Sequence, residues 1–160
     1  PEAFIDPILI QQVIVNLIKN GLDSMREKIP RGLRASTPPI VVKTDITDDR
    51  FNPMLRIQVI DAGKGIPEAV MNQIYEPFYS TKIDGMGMGL NICRSIIESH
   101  KGRLWAENKY PKRTGDNGSN TEFPEASGCT FTILLPIVKI PLEQINTRQQ
   151  AHFSTTRDQV

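Results

Sequence analysis

Residues 85–90 read Gly85-Met86-Gly87-Met88-Gly89-Leu90, and a helical pattern of apolar residues follows them without a break. Alternating glycines at the start of a helix leave backbone N–H groups uncovered, and the helix dipole adds positive potential there. This stretch therefore predicts a cradle for phosphate groups. It is not a dinucleotide fingerprint, because no strand precedes it and the spacing differs, and the chain has no Walker A sequence. A flexible loop without a ligand is the alternative.

Hydroxyl and ammonium groups stand just before this glycine loop, in Ser80-Thr81-Lys82. An ammonium is a compact point charge on a long stem, and a hydroxyl donates one hydrogen bond. Both groups suit the terminal phosphates of a nucleotide, so we expect all three residues near such phosphates.

A second group of polar residues lies on a helix predicted over residues 7–28. Asn16 and Asn20 are four residues apart and Asp23 is three further on, so their side chains share one face. Such oxygens suit Mg²⁺, which takes few protein ligands beside phosphate and water. Lys19 can also reach a phosphate, although an ordinary surface lysine is an equal interpretation. Two asparagines alone would favour a solvated polar face.

The third group, Asp61-Ala62-Gly63-Lys64-Gly65, follows a predicted strand. A carboxylate there can accept a hydrogen bond from an exocyclic amino group such as that of adenine, and glycines let a flat base approach the backbone. Taken alone, a tight turn capped by Asp61 is the better interpretation. Metal ligand, base reader and phosphate loop in this order together predict a nucleotide site.

The remaining pattern predicts one α/β domain, with a two-layer sandwich in which a mixed, mostly antiparallel sheet packs against helices. Its order is helix, strand, strand, glycine turn, glycine loop, helix, strand and strand. Besides the first helix, we expect strands at 40–46, 54–60, 103–107 and 129–135, a short helix at about 67–74, and a helix from 87 or 89 to 100. We expect the domain to span residues 1–138, with a polar insertion at about 108–128 and a tail or linker at 139–160.

Composition narrows the class of protein. The chain has 160 residues, 39% hydrophobic and 23% charged, which fits one compact domain. A net charge of +1 indicates neither a nucleic-acid partner nor an anionic membrane surface. No apolar run is long enough to cross a bilayer, and no signal peptide is visible. Cys93 and Cys129 lie in apolar stretches, so we expect two buried reduced thiols and a cytoplasmic location.

Four ordered motifs resemble those of bacterial sensor histidine kinases, over roughly residues 4–136. Residues 16–21, Asn-Leu-Ile-Lys-Asn-Gly, resemble the N box, and residues 61–65 resemble the first glycine box. Residues 75–82, Tyr-Glu-Pro-Phe-Tyr-Ser-Thr-Lys, resemble the F box, and residues 85–90 the second glycine box. The short link between the last two is similar to that of kinases of the oxygen-sensing and C4-dicarboxylate-sensing type.

The resemblance implies a Bergerat-type ATP-binding fold, shared with gyrase, MutL and heat-shock chaperone ATPases. It implies Mg²⁺ on Asn20, adenine on Asp61, and phosphates against the glycine loop and Lys82. We therefore expect a catalytic role for Asn16, Asn20 and Lys82. The expected ATP-binding residues are Asn16, Lys19, Asn20, Asp23, Asp61, Gly63, Gly65, Ile66, Phe78, Ser80, Thr81, Lys82, Gly85, Met86, Gly87, Met88, Gly89 and Leu90.

The resemblance also bears on the reaction. ATPases of the superfamily carry a glutamate at the position that matches Asn16, and an amide cannot act as a general base. Asn16 therefore favours transfer of the phosphoryl group to a protein nucleophile over hydrolysis. Family members transfer it to a histidine on a dimerisation hairpin, and a response regulator acts downstream. We expect neither His100, at a helix end, nor His152, in the tail, to be that acceptor.

Three other functions remain open at this point. They are an ATP-gated ATPase or clamp of the gyrase type, a non-catalytic nucleotide-binding module, and a serine-directed kinase of the same superfamily. The ATP lid, between Phe78 and Gly85, is very short, which predicts fast nucleotide exchange and moderate affinity. Met86, Met88, Tyr75 and Phe78 are candidates for an apolar surface that docks on the hairpin, with core filling as an equal alternative.

Overall fold

The computed structural model describes residues 5–28, 39–49, 52–80, 86–110 and 127–137. These residues contain two helices, two short 3₁₀ turns and four strands. In chain order they are α1 (Pro7–Lys28), β1 (Val41–Asp49), β2 (Asn52–Ile60), the 3₁₀ turns Glu68–Val70 and Gln73–Tyr75, α2 (Gly89–Ser99), β3 (Arg103–Lys109) and β4 (Gly128–Pro136).

Helix α1 begins where the sequence predicts. Asp6 Oδ1 accepts hydrogen bonds from the N–H groups of Ile8, at 2.9 Å, and Leu9, at 3.2 Å, so it caps two of the donors that a helix start leaves unpaired. Pro7 occupies the first helical position, where its missing N–H removes no helical bond. The helix then buries a face made of Ile10, Val13, Leu17 and Gly21.

The four described strands form one sheet in the order β1-β2-β4-β3, and each neighbouring pair is antiparallel. The antiparallel part of the expected sheet is confirmed, and no pair among the described strands is parallel. The register places Ile57 opposite Ile133, and Leu104 opposite the same Ile133, in one row across the sheet. These rows bring the alternating apolar residues to a single face.

The core lies between that face and the two helices. Leu17, Ile97 and Ile133 have no exposed surface, and they come from α1, α2 and the sheet respectively. Leu55, Ile57 and Val59 share the core face, while Arg56 and Gln58 point to the opposite face, as the alternation in β2 predicts. A two-layer α/β sandwich is therefore confirmed.

Helix α2 ends with a non-glycine residue in the left-handed region, although a glycine follows directly. Lys101 has φ +57°, and the N–H groups of Lys101 and Gly102 bond to Glu98 O and Ile97 O, both at 2.9 Å. This is the Schellman pattern of hydrogen bonds. Gly102 is needed for space, because a Cβ there would lie 2.4 Å from Leu134 O.

The other differences concern element limits. The single short helix expected at 67–74 is two 3₁₀ turns, the form in which short helical segments commonly occur. Strands β3 and β4 extend the expected hairpin at both ends, so Asn108, Lys109 and Gly128 belong to strands and not to the insertion. The remainder of that insertion, residues 111–126, lies outside the described residues, as do Phe4 and the tail from 138 onward.

Two single substitutions at the end of α2 test this assignment of Lys101 and Gly102. Gly102→Ala is expected to lower the free energy of unfolding by about 1–3 kcal/mol, because its Cβ would overlap a backbone oxygen. Lys101→Gly is expected to raise it by about 0.5–1 kcal/mol, because glycine tolerates positive φ. Chemical denaturation of both variants is the measurement. Equal losses from the two substitutions would contradict the assignment.

Candidate functional site

A cleft with a volume of about 1360 Å³ opens between α1, the segment after β2, and the start of α2. It exceeds the range of about 300–1,000 Å³ typical of small-molecule sites, so a ligand as large as a nucleotide has room. Most of the predicted site residues that the structure describes line this cleft: Asn16, Lys19, Asn20, Asp23, Asp61, Gly65, Ile66, Ser80, Met86, Gly87, Met88, Gly89 and Leu90.

Asp61 lies at the floor of the cleft and is only 4% exposed. Its Oδ1 accepts hydrogen bonds from the N–H groups of Gly63, at 2.8 Å, and Cys129, at 3.2 Å. Burial raises the pKa of Asp61, and these two bonds oppose that effect. Among the described residues the hydrogen bonds to this carboxylate fall on Oδ1, so Oδ2 can accept one from a ligand.

The backbone around Asp61 is packed closely. Its N–H donates to Cys129 O at 2.9 Å, which extends the β2–β4 ladder by one residue. A Cβ at Gly128 would lie 2.1 Å from Asp61 O, and Gly128 has φ +144°, so the start of β4 tolerates no side chain there. A Cβ at Gly21 would lie 3.1 Å from both Asp61 Cβ and Ile40 Cδ1. Gly21 has a low helix propensity, but its lack of a side chain leaves space for Asp61.

One face of α1 brings three polar side chains to the cleft, as their spacing predicts: Asn16, Asn20 and Asp23. The side chain of Asn16 is held by α2: its Nδ2 donates to Cys93 Sγ at 3.2 Å, across the contact between α1 and α2. Lys19 is exposed at the edge of the cleft. The amides and carboxylate therefore stand on one wall of the cleft.

The start of α2 forms the opposite wall. Met88 is the N-cap residue, and its side chain caps no N–H group. Gly87 has φ +67°, and a Cβ there would lie 2.4 Å from the carbonyl carbon of Phe78. The F-box backbone therefore packs directly on the second glycine box, and the uncapped N–H groups of the first turn suit an anion.

Two predicted residues lie elsewhere, and three lie outside the described residues. Gly63 contributes its N–H to Asp61 but does not line the cleft. Phe78 is 78% exposed, has φ +65°, and is not part of the lining. Thr81, Lys82 and Gly85 belong to the segment 81–85, on which the structure gives no description.

Several lining residues were not predicted from the sequence. Ser24 Oγ accepts from the N–H of Lys64 at 3.1 Å, and Lys28 Nζ donates to Gly63 O at 3.0 Å. Both stand on α1 one or two turns beyond Asn20, so helical spacing from Asn20 would have indicated Ser24. Lys28 carried no such signal, because only the fold brings it to the glycine turn.

Asn108 and Tyr110 complete the cleft from the end of β3. Asn108 bonds to both the N–H and the O of Ile66, at 2.8 and 2.6 Å, and so acts as a strand partner for that segment. The hydroxyl group of Tyr110 donates a hydrogen bond to Glu68 Oε1 at 3.0 Å. Each of these contacts joins residues 42 positions apart, so no local sequence pattern predicts it.

The described residues fit a magnesium nucleotide. Among them no three His, Cys, Asp or Glu side chains are grouped to hold a metal ion by themselves. Mg²⁺ is commonly held by one or two protein oxygens together with phosphate and water, which matches the amides on α1. The uncapped start of α2 suits phosphates, and the buried carboxylate suits an amino group.

Comparison with known proteins gives the class of this domain. Residues 5–139 match the family described as histidine kinase-, DNA gyrase B-, and HSP90-like ATPase. The chain belongs to this family, which confirms the ATP-binding fold that the four motifs imply.

Curated relatives place the chain more closely, with the sensor histidine kinases. It is 40% identical over 137 residues to the C4-dicarboxylate transport sensor protein DctS of Rhodobacter capsulatus, covering 86% of this chain and 17% of that protein. It is 42% identical over 131 residues to the sensor protein FixL of Bradyrhizobium diazoefficiens, covering 82% and 21%. The chain thus spans about a fifth of the length of these relatives and is a domain of the histidine kinase type.

Solved structures of histidine kinase domains share the fold of this chain. The catalytic domain of histidine kinase ThkA, in a nucleotide-free form, has a TM-score of 0.56 and 29% identity, with 82% of this chain and 68% of that one covered. The mycobacterial sensor histidine kinase MprB has a TM-score of 0.60 at 20% identity, covering 84% and 76%, which shows the shared fold.

Two other expectations have a structural outcome. Cys93 and Cys129 are free and buried, and burial raises the pKa of Cys93 and raises that of Cys129 to about 12, so both stay protonated thiols near neutral pH. In the described residues, neither helix combines the length and apolar character that crossing a membrane requires.

Asp61→Asn is expected to separate folding from nucleotide binding. Asparagine keeps an oxygen for the N–H groups of Gly63 and Cys129 but replaces the free carboxylate oxygen with a donor. We expect the affinity for ATP to fall about 10- to 100-fold, as for loss of a charge-assisted hydrogen bond, with the fold retained. Calorimetric titration measures the affinity, and circular dichroism checks the fold.

The same variant has a definite pH dependence. A raised folded-state pKa means that the stability contributed by Asp61 is present at low pH and is lost as pH rises through that pKa. The free energy of unfolding of Asp61→Asn minus that of the unsubstituted protein should therefore be more positive at about pH 8 than at about pH 4. A difference that does not change with pH would contradict the effect of burial.

Proposed function

We propose that this domain transfers the γ-phosphoryl group of ATP to a histidine on a separate dimerisation hairpin, as the catalytic part of a two-component sensor kinase. A response regulator then receives the phosphoryl group from the hairpin. The proposal places the domain in the cytoplasm, as the cytosolic part of a membrane-anchored sensor. The observation that carries it is Asn16, an amide in the cleft wall where a hydrolytic enzyme needs a base.

Asn16 is unsuited to hydrolysis for two reasons. A neutral amide has no basic lone pair on nitrogen, and its Nδ2 already donates to Cys93 Sγ. Water in the cleft therefore has no carboxylate from this position to activate it. In phosphoryl transfer, positioning and charge neutralisation supply most of the rate acceleration, and amides, N–H groups and a cation can provide both.

Each part of the nucleotide has a proposed binding group. Asn20 would hold Mg²⁺, Asp61 would accept from the adenine amino group, and the start of α2 would receive the phosphates with Lys82. When bound, Mg²⁺ neutralises phosphate charge. Asn16 and Asp23 would orient ligands of the metal from the same face of α1.

Exposed apolar residues support a hairpin partner. Phe78 is 78% exposed and Met86 is 75% exposed, and their segments meet where Gly87 packs on the F-box backbone. Tyr75, in contrast, packs partly against the core, and Met88 is half-buried. We propose that Phe78 and Met86 contact the hairpin, while Tyr75 and Met88 chiefly support the wall of the cleft.

Transfer to a hairpin is the direct test. The domain is incubated with labelled MgATP, with and without a helical hairpin from a related sensor kinase that carries the acceptor histidine. We expect acid-labile, base-stable label on the hairpin, and none when that histidine is replaced by alanine. Release of free phosphate with no labelled protein would support the ATPase alternative, and binding without any turnover would support a non-catalytic module.

Asn20→Ala tests the metal site. Loss of a metal ligand should weaken ATP binding in Mg²⁺ by at least about tenfold, while binding in EDTA changes little. Fluorescence titration with a labelled nucleotide measures both. Gln11→Ala is the matched control, since Gln11 is exposed on α1 and does not line the cleft. Equal affinities of Asn20→Ala and the parent in Mg²⁺ would remove Asn20 from the metal site.

A further inference from the structure

The side-chain amide of Asn16 rests on the first two turns of α2. Its Nδ2 lies 3.2 Å from Cys93 Sγ, and a Cβ at Gly89 would lie 2.8 Å from Nδ2 and 3.1 Å from Oδ1. Gly89 and Cys93 are four residues apart and so lie on one face of α2. Gly89 leaves space for the amide and Cys93 supplies a hydrogen-bond partner. We call these two residues the amide seat.

The hydrogen bonding of the thiol has a direction. Cys93 is 1% exposed, and its Sγ lies 3.9 Å from Val13 O, which can only accept. Burial raises the pKa of the thiol, and the bond from Asn16 opposes this, so Cys93 keeps its proton near neutral pH. The S–H group is therefore directed to Val13 O, and the sulfur accepts from the amide nitrogen of Asn16.

This direction decides which atom of Asn16 is available to the cleft. An amide has two flip states of nearly the same shape but opposite polarity, with either oxygen or NH₂ on a given side. An NH₂ group on the cleft side would repel a cation and its coordinated water protons. Donation to sulfur selects the state in which the NH₂ group faces the core and the oxygen is left for ligands.

We propose that Cys93 is a positioning residue for phosphoryl transfer, whose thiol holds the Asn16 amide with its oxygen available to the nucleotide site. The proposal rests on the proposed function, since it requires Asn16 to act on the bound nucleotide. It also connects the two walls of the cleft, because the bond runs from α1, which carries the amides, to α2, whose start is the proposed phosphate site.

Two substitutions at Cys93 separate the hydrogen bond from the volume. Cys93→Val fills the site without an acceptor, and Cys93→Ser keeps both an acceptor and a donor. We expect Cys93→Val to lower kcat for transfer to the hairpin about fivefold to tenfold, the ratio that one ordinary hydrogen bond supplies, with a smaller change in KM for ATP. Cys93→Ser should restore most of the lost kcat.

Nuclear magnetic resonance supplies a second readout. In ¹⁵N-labelled protein, the side-chain NH₂ signals of Asn16, assigned by their loss in Asn16→Ala, should shift in Cys93→Val and stay close to their original positions in Cys93→Ser. Ile97→Val is the matched control, since Ile97 is also on α2 and has no exposed surface. It removes buried carbon but leaves the hydrogen bond between Asn16 and Cys93 in place, so kcat should be unchanged.

Several outcomes would overturn the proposal. It fails if Cys93→Val keeps the full kcat, if Cys93→Ser loses as much as Cys93→Val, or if Ile97→Val is equally slow. Because the two residues act as one unit, adding Cys93→Val to Asn16→Ala should cause no further loss of kcat. If Asn16→Ala itself transfers phosphate normally, the role of Asn16 in the proposed function fails. Slow Asn16→Ala with fast Cys93→Val would overturn only the role of Cys93.

Discussion

The buried carboxylate of Asp61 is the constraint on which the rest of the site depends. Its Oδ1 binds the N–H groups of Gly63 and Cys129, and its own N–H binds Cys129 O. A buried charged group is costly unless it is hydrogen-bonded, so the chain must bring these partners together for the fold to be stable. The same bonds join the end of β2, the glycine turn and the start of β4, and in the described part of the chain they use only one of the two carboxylate oxygens.

Close backbone approaches make this arrangement possible. The start of β4 meets Asp61 O at Gly128, helix α1 meets the Asp61 side chain at Gly21, and the F-box backbone meets Gly87. At each contact a side chain would displace the backbone or a functional group. The glycines of this domain therefore do more than supply flexible loops, because three of them set how near the walls of the cleft can come.

The two helices supply opposite walls of the cleft. Helix α1 presents amides and a carboxylate, and helix α2 presents its uncapped N-terminus. Their relative position matters to any ligand that touches both, because electrostatic catalysis depends on groups that are already in place. The bond from Asn16 to Cys93 crosses between the helices at this point. A buried residue of the core thus also contacts a polar residue that lines the cleft.

Local sequence patterns were sufficient to predict the two helices, the four strands and most of the residues that line the cleft. The helix over residues 7–28, the core face of β2 and the shared face of Asn16 and Asn20 each follow from spacing within one element. The order of four motifs was sufficient for the family. These features depend on neighbours in sequence, so the periodicity of a helix or strand reports them directly.

Only the tertiary structure decided the features that join distant segments. It assigned the left-handed position to Lys101 and showed that Gly102 is required for contact with β4. It also brought Asn108 to Ile66, Lys28 to Gly63, and Cys93 to Asn16. The sequence by itself determined which groups this domain carries and on which elements. Their partners were decided by packing, because a hydrogen bond between residues tens of positions apart has no period in the chain.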